Sequence, residues 1–297
     1  MTACDGLVNL LSSASVEVSS HGHQLAELRE RFAAGTEVTI TFLPGDNIRS
    51  NAETAAALRR AGFEPVPHIA AREIASREAL NDFVARLRSE ADVRRVLLIA
   101  GDVAGARGPF KSSRDLAATG LLEAHGIRRV SVAGHPEGHP FLDEAATFRG
   151  LQAWGDWGQG TGIRVDVVTQ FCFEAGPILN FLGELKARQI ALPVVIGLAG
   201  PATPATLTKF ALRCGIGNSI RALRGQIGRF GRLLVDAGPD EVMRGLEAAP
   251  SAARSAIAGF HLFPFGGLRK SANWLRDYPA ASAEPPHAPS PAIQPSP

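Results

Sequence analysis

The run RVLLIAGD, residues 95–102, decides the fold. Its unbroken apolar stretch reads as a strand buried on both faces. Gly101 then stops the strand, and the chain delivers a carboxylate, Asp102, at its end. Seven further stretches read as short strands, and several close on a polar or ionisable residue. They are 14–19 (ASVEVS), 37–42 (EVTITF), 64–69 (EPVPHI), 129–134 (RVSVAG), 163–171 (IRVDVVTQF), 192–198 (LPVVIGL) and 259–265 (GFHLFPF).

Helical patterns separate most of these strands. They cover 25–34, 55–61, the stretch after Ser76 with Ala79, Leu80, Phe83 and Leu87 on one face, 116–124, 142–152 and 178–187. Shorter helices are expected at 204–214 and 219–223, with further helical chain to about 248, and 154–162 (WGDWGQGTG) reads as irregular. Alternating strands and helices imply a mostly parallel sheet, and eight such units favour closure into a (β/α)8 TIM barrel over an open sheet. In a barrel of this kind chemistry gathers where the strands end. The candidates are therefore Glu17, Thr41, His68, Asp102, His135, Glu137, His139 and Gln170.

Composition narrows the class further. With 297 residues, 45% hydrophobic and 20% charged, the chain suits one globular unit of barrel size. A formal charge of +2 gives no case for nucleic acid, and no apolar run approaches a membrane span. The opening MTACDGLVNL lacks the basic cluster of a signal peptide. Cys4, Cys172 and Cys214 are odd in number and far apart, which suits unpaired thiols in a cytoplasmic setting. A homo-oligomer is compatible with the sequence, which does not specify one. The barrel unit is read as 1–278. Residues 279–297 hold seven of the twenty prolines and read as a disordered Pro/Ala-rich tail.

Several motifs are absent. The His135–His139 spacing is that of a loop rather than a helical HExxH, so no metal site is expected. There is no GxGxxG, Walker loop or GxSxG elbow, which removes support for a Rossmann hydride site and for an α/β hydrolase.

Seven motifs then occur in a telling order: VEVSS, VTITF, PHI, LLIAGD, HPEGHP, TQF and FHLFPF. Together they resemble the methylenetetrahydrofolate reductase family, single-domain bacterial type, over about residues 15–265. The resemblance implies an oxidoreductase of one-carbon metabolism that reduces 5,10-methylenetetrahydrofolate, with FAD as cofactor and NADH or NADPH as hydride donor. Position by position, it implies that Glu17 is the acid that opens the folate ring and that Asp102 is the carboxylate near flavin and folate. It gives Gln170 the pterin edge and Phe210, in TKF, an aromatic face against nicotinamide or folate. Thr41, His68, Gly101, Asp102, His135 and His139 would surround the flavin.

The chain also departs from the family. Ala100 stands where the family carries arginine, His135 where it carries tyrosine, and FRGLQAWGDW has no counterpart of its acid and lysine. Losing cations at a diphosphate weakens its grip by about 1.5–3 kcal/mol for each charge-assisted hydrogen bond. Two alternatives stay open: direct hydride transfer from NADH to folate without flavin, and a non-catalytic folate-binding barrel serving as a partner subunit.

Overall fold

The structure, a computed structural model, describes residues 3–20, 24–43, 46–101, 103, 105–139, 141–213 and 236–282. Eight parallel strands close into a barrel in sequence order: β1 Ser15–Val18, β2 Glu37–Ile40, β3 Glu64–Ala70, β4 Arg95–Ile99, β5 Arg129–Gly134, β6 Arg164–Cys172, β7 Val194–Ala199 and β8 Ile257–Phe263. Closure is made by β1 on β8, with Ser15 opposite His261 and Val16 opposite Leu262. This is the TIM barrel that the strand pattern predicts. Helices surround it: α1 Ala3–Ser12, α2 Leu25–Arg31, α3 Ile48–Arg60, α4 Arg77–Ala91, α5 Ser113–Ala117, α6 Leu121–Ala124, α7 Glu144–Thr161, α8 Ala175–Ala187, α9 Pro204–Arg213, α10 Asp240–Ala248 and α11 Leu268–Ser282. Among the described residues no helix is long and apolar enough to cross a membrane.

Local chemistry explains most boundaries. The Ser76 hydroxyl accepts from Ala79 N at 3.2 Å and starts α4, whose Leu80, Phe83, Val84 and Leu87 are buried against the barrel. The expected helix over 116–124 is instead two, α5 and α6, because Gly120 takes φ 69° between them. The segment 154–162, read as irregular, is the second half of α7. Its buried Trp154 continues the apolar face of Phe148 and Leu151, and Gly158 lets the helix approach β6 closely. A Cβ at Gly158 would stand 2.8 Å from Val165 Cγ2 and 2.9 Å from Ile163 O.

Two terminal helices escape the sequence reading. Helix α1 buries Leu7 and Leu11, and α11 runs to Ser282, so helix continues past residue 278. The remainder of the Pro-rich tail, the expected helix at 219–223, Cys214 and Asp102 lie outside the described residues.

The barrel interior is layered. At the N-terminal end Arg95 pairs with Glu37 and, at 3.0 Å, with Asp166, while its Nε donates to Ser131 Oγ at 3.0 Å. Arg129 also pairs with Asp166. Above this polar floor Val66, Leu97, Val168 and Val195 pack together with Ile99. The layer above that, at the C-terminal ends of the strands, is polar and aromatic.

Candidate functional site

Strand alternation aims Ser15 and Glu17 of β1 to one face, and parallel pairing sets Ser15 beside His261 of β8. Glu17 and His68 of β3 meet inside the same mouth. Glu17 Oε2 lies 3.8 Å from His68 Nε2 and 3.9 Å from His261 Nε2, with the three side chains 17%, 11% and 2% exposed. Both separations exceed a hydrogen bond, so the carboxylate stands between two imidazoles without being tied to either. The other nitrogen of His261, Nδ1, is 2.8 Å from Ser15 Oγ. His68 Nε2 is buried with no hydrogen-bond partner. Burial drives the His68 pKa down to about 4 against the opposing pull of Glu17, with His261 adding to the lowering, so His68 is neutral near pH 7.

An aromatic wall continues from this group. His261 meets Phe263 edge-on at 4.7 Å, and Phe263 lies nearly parallel to Phe265 at 5.7 Å. Phe210 of α9 stacks on Phe265 at 4.2 Å. Phe171 of β6 meets both Phe263 and Phe265 edge-on. Space for this wall comes from Gly197, where a Cβ would fall 2.3 Å from Thr169 O and 2.8 Å from Phe263 Cε2.

The remaining sequence candidates separate into distinct places. Between β6 and β7 the register passes from Val168 opposite Val195 to Phe171 opposite Gly197, a bulge of one residue in β6. Phe171 therefore joins the aromatic wall, and Gln170 lies within the bulge, half-buried. Thr41 follows β2 and its amide donates to Val18 O at 2.9 Å. Gly101 follows β4 with φ 94°, a conformation that favours glycine.

His135 and His139 form a pair of their own, ring centroids 4.6 Å apart and edge to face. Burial, helped by His139, lowers His135 to about 4, and burial lowers His139 as well. Phe141 N donates to His139 Nδ1 at 3.1 Å, which leaves Nε2 as the protonated nitrogen of the neutral ring. Burial and a hydrogen-bonded Glu137 carboxylate push the Cys172 thiol up, which keeps it protonated.

Sequence reasoning missed Ser15, His261, Phe263 and Phe265. The signal was present: His261, Phe263 and Phe265 alternate through GFHLFPF as Ser15 and Glu17 do through ASVEVS. Among the described residues no group of three or more His, Cys, Asp or Glu is set to hold a metal ion. A groove of about 900 Å³ opens beside the N-terminal ends of β7 and β8, and Lys186 is the one ionisable residue in its lining. The convergent titratable groups lie at the other end, at the mouth.

No family model matches the sequence. Solved structures similar to this chain include a β-mannanase of Thermomonospora fusca in complex with mannohexaose, with 14% identity and TM-score 0.38, covering 68% of this chain and 75% of that one. Another is a GH18 chitinase from Pseudoalteromonas aurantia, with 10% identity and TM-score 0.43, covering 90% of this chain and 100% of that one. Likenesses at these values say nothing about what the mouth binds or catalyses.

Proposed function

We propose that the protein reduces 5,10-methylenetetrahydrofolate to 5-methyltetrahydrofolate with a hydride from NADH or NADPH, in a cytoplasmic setting. The observation that carries this reading is Glu17, a carboxyl group inside the mouth with imidazoles at 3.8 and 3.9 Å and an aromatic wall beside them. The reaction calls for such a set. The folate's five-membered ring opens by breaking the bond between its methylene carbon and N10. The bonding electrons go to N10, which takes a proton from Glu17. The carbon left as a 5-iminium accepts hydride and becomes the methyl group, and the nicotinamide leaves oxidised.

The neighbours of Glu17 fit these steps. A neutral His68 sets no positive charge against the cationic iminium. His261, held by Ser15 at Nδ1, turns Nε2 toward Glu17. Phe210 gives a flat ring a face to stack on, and the Gln170 amide offers a donor and an acceptor to a pterin edge.

Thr41, His68, Gly101, Asp102, His135 and His139 would hold a resident FAD, which when bound relays hydride from nicotinamide to folate. The unpartnered Nε2 of His68 and the neutral His135 and His139 suit its ring end. The diphosphate end is less well served. Arg72 donates to the carbonyls of Lys111 and Val103, and Arg107 pairs with buried Glu73 at 3.0 Å. This engagement favours a second reading, in which the dinucleotide passes its hydride directly to the folate. A donor that binds and leaves tolerates a weaker grip on its diphosphate than a resident cofactor does.

Purified protein, methylenetetrahydrofolate and each dinucleotide test the proposal. Folate-dependent dinucleotide oxidation supports it, and a flavin absorbance spectrum selects the first reading over the second. Folate binding without oxidation, with or without added FAD, would overturn it in favour of a non-catalytic folate-binding barrel.

A further inference from the structure

The aromatic wall contains a ring that neither the strand ends nor the acid chemistry accounts for. Phe265 lies between Phe210, stacked at 4.2 Å with 17° between planes, and Phe263, at 5.7 Å with 10°. Phe171 closes its edge at 4.9 Å. Phe265 is the one ring contact of Phe210 among the described residues.

The base of Phe265 is fixed by backbone geometry. Its amide donates to Phe263 O at 2.8 Å, a three-residue turn centred on Pro264, whose ring presets φ. Gly200 N also donates to Phe263 O, at 2.9 Å. Gly266 lies so close to the end of β7 that a Cβ there would stand 1.9 Å from Pro201 O, and one at Gly200 would stand 2.4 Å from Ser271 Oγ. The Phe-Pro-Phe-Gly turn is thereby locked to the neighbouring strand end. Phe210, by contrast, comes from α9, whose Leu207 and Ala211 supply aliphatic packing on the same cluster.

We infer that Phe265 is a positioning residue: it sets the plane of Phe210 and thereby the face on which a flat substrate ring stacks. The inference deepens the reading above and rests on it, since it takes Phe210 to meet the nicotinamide or the pterin. The ring plane is set on the rigid side of the mouth, at β8, and transmitted by stacking to the helix side. Leucine at 265 fills similar apolar space without a flat face, whereas tyrosine keeps one.

Steady-state kinetics of Phe265→Leu, Phe210→Leu and the double variant test this. Phe265→Leu should raise KM for folate or dinucleotide by about 3- to 10-fold, the range of one aromatic pair, with little change in kcat. Phe265→Tyr should keep the normal KM. In the Phe210→Leu background, Phe265→Leu should add nothing, because the ring it orients is gone. Equal losses in both backgrounds, or a fall in kcat alone, would overturn the inference.

An activity-independent readout separates this inference from the functional reading. Nuclear Overhauser contacts from the Phe210 ring to the side chains of the same cluster, Leu207 and Ala211 among them, should change in Phe265→Leu and stay normal in Phe265→Tyr, and unchanged contacts in Phe265→Leu would refute the positioning role. A wild-type protein without folate-dependent turnover would instead refute the functional reading, and the NMR outcome would still decide the ring coupling.

Discussion

Lowering the pH should destabilise the fold through His68. In the folded protein this side chain is buried and stays neutral above about pH 4. The unfolded chain takes up a proton below its ordinary value of about 6.5. Between those values the unfolded state binds more protons, so stability is full above about pH 6.5 and falls as pH falls toward 4. The difference corresponds to a loss of about 2 kcal/mol at pH ~5 and a limit on the order of 3 kcal/mol below both values. That is a large share of the ~5–15 kcal/mol typical of a domain. His135, lowered to about 4 by burial, adds in the same direction.

The assay is urea unfolding at pH ~7, 6 and 5 for the wild type and His68→Gln. Absolute stability also changes with the substitution itself, so the readout is the change with pH, which should be smaller in His68→Gln by about 2 kcal/mol between pH ~7 and ~5. Equal pH dependences would refute the reasoning. They would mean that Glu17, at 3.8 Å, holds His68 charged in the folded state and that desolvation does not win.

Three other outcomes follow from the same geometry. On the proposed reaction, Glu17→Gln should leave the thermal midpoint near that of the wild type and lower kcat by about 10²–10⁴-fold, the usual worth of a positioned general acid, as read by dinucleotide oxidation. Gly197→Ala should cost about 1–3 kcal/mol in urea unfolding, because the new methyl meets the backbone oxygen of Thr169 at 2.3 Å and the Phe263 ring. Arg95→Met should cost on the order of 3 kcal/mol in the same assay, since it strips one partner from Asp166, which is 2% exposed, and leaves Glu37 with its longer contact to Arg129.

The barrel was legible because its strands are buried on both faces and read as apolar runs. RVLLI and VVIGLA need no partner to be recognised. Glu17 and His68 were legible for the opposite reason, as polar groups within such runs. The bulge in β6 was not, since nothing in VVTQF tells Gln170 from Phe171 until Gly197 of the neighbouring strand is placed beside them. The glycines of α7 argued against a helix until close approach to β6 gave Gly158 its reason. His261 was not legible although its alternation matched, because its polar neighbours, Ser15 and Glu17, come from the other end of the chain. The stack of Phe210 on Phe265 is likewise a property of the closed barrel and not of either segment.

On the proposed function, the mouth containing Glu17, His68 and His261 reduces a folate. Its most direct test is NADH or NADPH oxidation by purified protein, with and without methylenetetrahydrofolate, followed by identification of the folate product. Oxidation that depends on the folate, yields 5-methyltetrahydrofolate and collapses in Glu17→Gln is the predicted result. Absence of folate-dependent oxidation with either dinucleotide, in the presence of added FAD, would contradict it.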